Sequence, residues 1–457
     1  MQREWKIVTV TSIASAISAL DLTLMFVAFP EIRADFPDVP TAEVSWVLTS
    51  FSIVAAALLI PAGRIADRVG RKKVFVASLW LFSAGALSVS LAPTVPLLIA
   101  SRVVQAIGGA MLTPSALAII MGSTTPERRA TALGAWSAIS GVVASLAPTI
   151  GAVAISAGSW RWAFAIVVPI GIACALASAR MIDEHIDDNA RALPDPVGSL
   201  CIAVGVASLS YAVVRSPDWG WVDRRTLLLF AVAVAAIVVF ISRCRTHPSP
   251  VIDLALFSTR AFRANGVAAL AAGVSFWGIY YVLVAFLTKG WGERILVAGL
   301  LLTPMSLAAT VTSMRTGRLI DRLGPRALMV PAGLMFGAGL LVLLVFAGDD
   351  TSYLVWFPAA FLLGTASATY LTGANSAATR AVPPEHLGSV AGVVQTLIRV
   401  GGVLGTAVGI ALVGEVRVGD PITEFHRALW TLAAVGGVAA LAAWPLHSRR
   451  RSVPAPA

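Results

Sequence analysis

Apolar residues run through this chain in long unbroken stretches separated by short polar clusters. Fourteen such stretches can be marked, at about 8–29, 43–62, 74–92, 95–120, 129–154, 160–179, 196–215, 225–243, 262–288, 294–314, 327–347, 353–377, 387–414 and 425–446. Most run roughly 18–25 residues, the length a helix needs to cross about 30 Å of hydrocarbon. None shows the one-in-two alternation of a barrel strand, so helices are predicted and a β-barrel is excluded. Little chain is left for a soluble domain. The pattern predicts an all-α membrane protein of fourteen spans.

The polar clusters carry a repeat. Gly63-Arg-Ile-Ala-Asp-Arg-Val-Gly-Arg-Lys72 returns 254 residues later as Gly317-Arg-Leu-Ile-Asp-Arg-Leu-Gly-Pro-Arg326. Each copy joins the second and third spans of a run of six. The chain therefore reads as two similar six-helix bundles, 1–180 and 261–446, with two additional spans in 181–260 and a tail at 447–457. Paired bundles suit the movement of a solute across a bilayer between them. Met181 to Asp195 mixes acids and bases and reads as a solvated linker. Pro248 and Pro250 precede Val251-Ile-Asp-Leu-Ala-Leu-Phe257, a short amphipathic stretch expected to lie along the membrane face.

Composition agrees: 57% hydrophobic and 13% charged residues, with a mean hydropathy of +0.83, are far from a soluble domain. The formal charge of +10 would by itself suggest an anionic partner such as nucleic acid. Its placement argues otherwise. With the N-terminus inside and the spans alternating, the inner loops and termini hold 23 of the 34 Lys and Arg residues. This positive-inside distribution puts both termini in the cytoplasm of a multi-pass cell-membrane protein, and the basic balance reports topology, not a nucleic-acid partner. The opening Met-Gln-Arg-Glu-Trp-Lys imitates a signal peptide, but the apolar run continues past Asp21 to Pro30, too long for a signal's hydrophobic region. Cys174, Cys201 and Cys244 are scattered and give neither a disulfide framework nor metal spacing.

Of the 24 acids, Asp21 alone falls near the middle of a span, and Glu415, at the edge of span 13, is its nearest competitor. A carboxylate there costs roughly 2.5–3.5 kcal/mol on insertion scales. The low dielectric disfavours its charged form, which suits a group that gains and loses a proton. Pro30 lies about nine residues on, about 13 Å of helix at ~1.5 Å per residue, so the side chain does not reach the interface. Arg102 and Gln105 share a face of span 4 with Gly109, and an embedded Arg seeks an acid or backbone carbonyls. An Asp21–Arg102 pairing would make proton affinity sensitive to small movements between spans 1 and 4.

In the repeated hairpin, Gly63, Gly70 and Gly317 are expected where turning chain leaves no room for Cβ. Asp67 can cap a helix or pair with an Arg across the loop, while Arg68, Arg71 and Lys72 hold it in the cytoplasm. Asp321 and Arg322 are the second copy's counterparts, although Pro325 and Arg326 replace Arg71 and Lys72 there. In span 5, Gly141, Ala144, Ala147, Pro148 and Gly151 form a small-residue stripe with a kink-prone proline. Gly401, Gly405 and Gly409 repeat every fourth residue in span 13 and predict close helix packing. Trp46, Trp277, Tyr280 and Tyr281, with Gln395 and Arg399, are candidate walls of a cavity for flat, lipophilic compounds.

Six regions together resemble the major facilitator superfamily and, within it, the fourteen-span drug:proton antiporter family. They are Leu20-Asp-Leu-Thr23 with Ala28-Phe-Pro30, the Gly63 to Lys73 loop, Arg102-Val-Val-Gln-Ala-Ile-Gly108, Ala147-Pro-Thr-Ile-Gly151, Ser159-Trp-Arg-Trp162 with Val168-Pro-Ile-Gly171, and Gly317 to Arg326. The resemblance implies that Asp21 couples protons or meets a cationic substrate, and that Arg102 and Gln105 belong to a proton-linked motif. It implies that the first hairpin latches the two halves in the outward-facing state, and that the span 5 stripe lies between the halves and accompanies export. Here Ala147 and Ala152 stand where glycines are usual, and Val167 where Asn is common.

The sequence holds no Gly-x4-Gly-Lys-Ser/Thr phosphate loop, and its five histidines sit in loops or at span ends, in no metal or catalytic spacing with acids. The expected function is therefore not enzymatic. It is export of small amphipathic or cationic compounds by a monomer, with the proton gradient as energy source and no cofactor or metal. Export of a lipid or endogenous metabolite, import, and ligand binding without flux are the alternatives.

Overall fold

The computed structural model describes residues 2–125, 128–184, 195–348, 353–380, 387–414, 416 and 422–446. The tail at 447–457, most of the linker between residues 184 and 195, Glu415 and the Asp321 side chain lie outside the described residues. Among the described residues, fourteen helices are long and apolar enough to cross a membrane. The first six are α1 (Gln2–Asp35), α2 (Trp46–Val69), α3 (Arg71–Leu91), α4 (Val95–Ser123), α5 (Arg129–Ser156) and α6 (Trp160–Met181). Two more follow, α7 (Pro196–Trp219) and α8 (Arg224–Thr246). The last six are α9 (Arg260–Ala285), α10 (Ile295–Leu323), α11 (Pro325–Phe346), α12 (Tyr353–Arg380), α13 (Leu387–Val413) and α14 (His426–Ala443).

Boundaries follow backbone chemistry. Pro30 lies inside α1, which continues to Asp35. In α6 the helix breaks at Ile166, between Trp160–Ala165 and Val167–Met181. Pro169 explains the break: it has no N–H for the carbonyl four residues earlier, that of Ala165. The repeated hairpins are single-residue turns, Gly70 between α2 and α3 and Gly324 between α10 and α11, with φ of 123° and 84°. Left-handed φ is what glycine adopts without strain. Gly63 and Gly317, expected to be turn glycines, instead lie one to two helical turns inside α2 and α10. A Cβ on Gly63 would make only ordinary contact with Pro114, at 3.8 Å, and one on Gly317 would meet nothing.

Packing repeats with an offset of eight helices. α1 meets α4, α5 and α6, while α9 meets α12, α13 and α14; α2 and α3 pack on α4 as α10 and α11 pack on α12. Two seams join the groups, α2 with α13 and α5 with α10, and the offset exchanges them as a pseudo-two-fold requires. Helix backbones touch where glycines allow it: a Cβ on Gly401 of α13 would lie 2.1 Å from the Leu270 carbonyl oxygen of α9.

The additional helices sit on one seam. α7 packs on both α2 and α13, through Ile53, Val206 and Val403 among others, and α8 packs on α7. Only 11% of the α8 span is buried, and Leu228, Val234 and Val238 stand outward, an apolar surface fit for lipid. α7 is clasped to α2 at both ends. At one, Arg215 donates to Glu43 at 2.9 Å and Trp46 meets Tyr211 with ring centroids 5.4 Å apart. At the other, Arg64 donates to the Ser249 hydroxyl at 2.6 Å, and the Ser249 carbonyl accepts from the Asp195 N–H at 3.0 Å. Val251, Ile252 and Leu256, expected along the membrane face, pack into the C-terminal core with Phe262, and a short 3-10 helix, Leu254–Ser258, holds the turn.

Asp195 ties α7 to α8. Its carboxylate caps α7 by accepting from the Val197 N–H at 3.0 Å and receives Arg243 at 2.6 and 2.9 Å. The Arg243 hydrogen bonds, helped by the capping N–H groups, hold its carboxyl down at about 2 against an ordinary 3.8. A depressed folded value stabilises above the ordinary value, and the gain disappears as pH falls towards the folded one. Hydrogen exchange at the first turn of α7 should thus be flat above about pH 4 and rise between about pH 4 and 2 once corrected for intrinsic rates. Asp195→Asn should exchange fast throughout; a flat wild-type profile would reject the clasp.

Candidate functional site

α1 and α4 bring together three polar side chains inside the N-terminal group. Asp21, Arg102 and Gln105 are each fully buried. Arg102 Nη1 donates to Asp21 Oδ2 at 2.6 Å and to Gln105 Oε1 at 2.7 Å, and Gln105 Nε2 donates to Asp21 Oδ1 at 2.8 Å. The three-residue spacing of Arg102 and Gln105 makes this triangle, because it places both one turn apart on one helix face. Arg102 Nε donates to the Val47 carbonyl of α2 at 3.2 Å, and the Phe51 ring lies 4.6 Å from its guanidinium carbon. Nη2 has no acceptor among the described residues.

Both carboxylate oxygens are therefore engaged, and one ion pair holds α1, α2 and α4 together. Its attraction is strong at low dielectric, and stripping either partner leaves an uncompensated buried charge. A neutral Asp21 would cancel the ion pair and leave Arg102 held by Gln105 and the Val47 carbonyl. Asp21 is absent from the cavity walls described next. It faces into its own bundle, so the sequence's alternative role for it, meeting a cationic substrate directly, has no support in this arrangement.

A cavity of about 350 Å³ lies between the two groups, walled by α1, α4, α5, α9, α10, α12 and α13. Trp277, Tyr280, Gln395 and Arg399 line it as expected from the sequence. Two expected walls do not. Trp46 is drawn to Tyr211 of α7, a helix whose position the sequence left open. Tyr281, one residue round α9 from Tyr280, lines a separate vestibule of about 510 Å³ at the face opposite the Gly70 hairpin. Both bundles line each space, but the larger is walled by mixed charges, Glu31, Arg33, Lys289, Glu293 and Arg294, whereas Arg399 is the one charged residue lining the smaller among the described residues. Between them stands an aromatic septum: Phe26 stacks on Trp277 at 5.6 Å and meets Tyr280 at 5.8 Å, and Phe29 meets Tyr281 at 5.6 Å.

Hydroxyls not singled out from the sequence stitch the α5–α10 seam. Ser145 bonds Thr310, and Thr149 bonds Thr303, each at 2.5 Å. Their signal was the spacing Thr303, Ser306, Thr310 along one face of α10. In the span 5 stripe, a Cβ on Gly141 would meet Thr310 at 2.9 Å, and one on Gly151 would meet Leu24 of α1 at 2.6 Å. Ala152 has its small partner across the seam: a Cβ on Gly299 would come 2.3 Å from the Ala152 methyl and 2.7 Å from the Pro148 carbonyl.

In the first hairpin, Asp67 pairs with Arg71 one turn on, at 2.9 Å, and Arg71 reaches the Ala118 carbonyl of α4. The first turn of α3 is capped from a distance by Glu184, which accepts from the Lys72 and Lys73 N–H groups at 3.1 Å. Arg68 and Arg322 are exposed. These bonds stay within the first six helices and the segment that follows them.

Residues 11–257 and 266–457 match the family model described as Major Facilitator Superfamily. The chain is 28% identical over 420 residues, 92% of it and 77% of the relative, to the tetracenomycin C resistance and export protein of Streptomyces glaucescens. It is 29% identical over 453 residues, 97% of it and 94% of the relative, to the methylenomycin A resistance protein of Streptomyces coelicolor. Its identity to the multidrug resistance protein Stp of Mycobacterium tuberculosis is 29% over 391 residues, 85% and 72% of the two chains. Among solved structures, a bacterial homologue of the human lysosomal transporter Spinster, inward-facing and unoccupied, superposes with a TM-score of 0.65 at 16% identity, covering 96% of this chain and 95% of that one. A peptide transporter, POT, superposes at 0.67 and 15%, covering 95% and 93%.

Proposed function

Because the chain belongs to the major facilitator superfamily, and so is a membrane transporter and not an enzyme, we propose that it exports small amphipathic molecules in exchange for protons. The observation that carries this reading is the sealed Asp21–Arg102 pair at 2.6 Å, a carboxylate of α1 whose bonds to α4 depend on its charge. Protons reaching Asp21 loosen α1 from α4. Cargo taken up from the cytoplasm binds in the 350 Å³ cavity, and the septum around Phe26 and Trp277 parts to release it. The basic loops put the Gly70 hairpin in the cytoplasm, so the cavity is screened from the outside by that septum. Helices up to residue 180 and from 261 onward are the two bodies that rock. The proton gradient supplies the energy, no cofactor is needed, and one chain carries a whole cavity. The relatives' names, which speak of antibiotic and multidrug resistance, support a drug-like cargo and leave its chemical class open.

Everted membrane vesicles test the reading. Acidifying the lumen should drive accumulation of tetracenomycin C, methylenomycin A or another member of a drug panel, and nigericin should abolish it. Binding without accumulation would make the chain a receptor, and accumulation only towards the cytoplasmic side would make it an importer.

A further inference from the structure

We propose that the central cavity selects cargo bearing an acidic group, and that Arg399 of α13 is the residue that binds it. Arg399 lines the cavity, and no Asp or Glu does so among the described residues. Its Nε is buried without an acceptor. None of the ion pairs found among the described residues includes it: the buried Arg102 is neutralised by Asp21 and the buried Arg215 by Glu43 and Asp218, whereas Arg399, half-buried at the cavity wall, has no such partner there. A guanidinium drawn out of water is costly unless a counter-charge meets it. A planar carboxylate, sulfonate or ionised phenol fits its fork of donors in two-point fashion.

The neighbours define the rest of the ligand. Gln395, one turn earlier on the same face of α13, donates to Asn375 of α12 at 3.2 Å and so is held at the cavity wall. Trp277 lies against Gly402, one turn beyond Arg399: a Cβ there would come 2.5 Å from the indole. With Tyr280 it offers an aromatic floor beside the cation. A compact aromatic acid would place its ring on Trp277 and its anion on Arg399. At about 350 Å³ the space suits such a compound, near the lower end of small-ligand pockets, and not a two-chain lipid. This assigns the cargo class left open above and rests on the exporter reading only for the direction of flux.

The test compares three probes of one shape: anthracene-9-carboxylate, the neutral 9-anthracenecarboxamide and the cationic 9-(aminomethyl)anthracene. Binding to the purified full-length chain is followed by energy transfer from tryptophan, with no proton gradient present. The carboxylate should bind at least about tenfold more tightly than the amide, and the ammonium most weakly. Arg399→Gln should weaken carboxylate binding about tenfold while leaving the amide within twofold, so retained amide binding certifies the fold. Gln395→Glu, which neutralises the site without removing Arg399, should also erase the anion preference. Equal binding of carboxylate and amide by the wild type, or parallel loss of both in Arg399→Gln, overturns the proposal. Anion preference without gradient-driven flux overturns the exporter reading alone, and flux without anion preference overturns this inference alone.

Discussion

Asp21→Asn is expected to abolish uphill, proton-driven efflux while downhill exchange of cargo across the same vesicle membrane continues. The substitution keeps the shape of the side chain and removes the proton it can carry. Asp21 is fully buried and engaged by two donors, Arg102 at 2.6 Å and Gln105 at 2.8 Å. Asn can still accept from Arg102, but its amide must then face the Gln105 amide, and the guanidinium loses its counter-charge. A stability loss of about 1–3 kcal/mol should follow, the cost of leaving a buried polar group poorly matched. Accumulation driven by a pH gradient should fall at least about a hundredfold, which corresponds to a barrier change of about 2.7 kcal/mol. Two assays on one preparation decide it: uptake with an imposed gradient, and counterflow without one. Loss of both, in protein with unaltered thermal unfolding, would make Asp21 part of the moving frame and not the coupling group. Undiminished uphill transport would remove it from the mechanism.

The second large effect is structural. Gly401→Ala should disrupt the α9–α13 packing although it adds one methyl group. The new Cβ would lie 2.1 Å from the Leu270 carbonyl oxygen, a backbone atom that no rotamer change can move. Overpacking of this kind costs about 1–3 kcal/mol or more where the neighbours cannot yield. The expected drop in thermal midpoint is more than about 5 °C, with loss of monodisperse protein in detergent. Leu270→Ala should not rescue it, because the obstructing atom is not in the side chain. Gly337→Ala is the control, since nothing lies within 4 Å of a Cβ there. Equal behaviour of the two variants would mean that α9 and α13 do not approach as closely as described.

Much of this was legible in the residues. Continuous apolar runs are a strong signal because only closed helices satisfy backbone polar groups in lipid, and all fourteen spans appear. The Asp21–Arg102–Gln105 cluster could be anticipated because embedded charges are rare and must find partners. Sequence spacing marked the faces of α4 correctly. It could not say which face of each helix meets the other bundle, so Trp46 and Tyr281 were placed in a cavity that excludes them. The close approach of Gly299 of α10 to Ala152 of α5 was equally hidden, since such a contact needs one small residue and not a particular one. Contacts such as Arg64–Ser249 and Glu184–Lys72 join positions 185 and 112 residues apart, where no periodicity operates.

The fastening of α7 redistributes the moving parts. Its polar clasps, Arg215 to Glu43 just ahead of α2 at one end and Asp195 through Ser249 to Arg64 of α2 at the other, lead to the α2 side, whereas it touches α13 through aliphatic side chains such as Val206 against Val403. Polar clasps fix register; greasy surfaces glide. If the halves tilt as proposed, the inserted pair should travel with the first, and the articulation on that flank should run between α7 and α13. The machine would then be lopsided, eight helices pivoting on six, and a fluorophore in the short Gly220–Asp223 turn would report the motion of the amino-terminal partner although it is sewn into the middle of the chain.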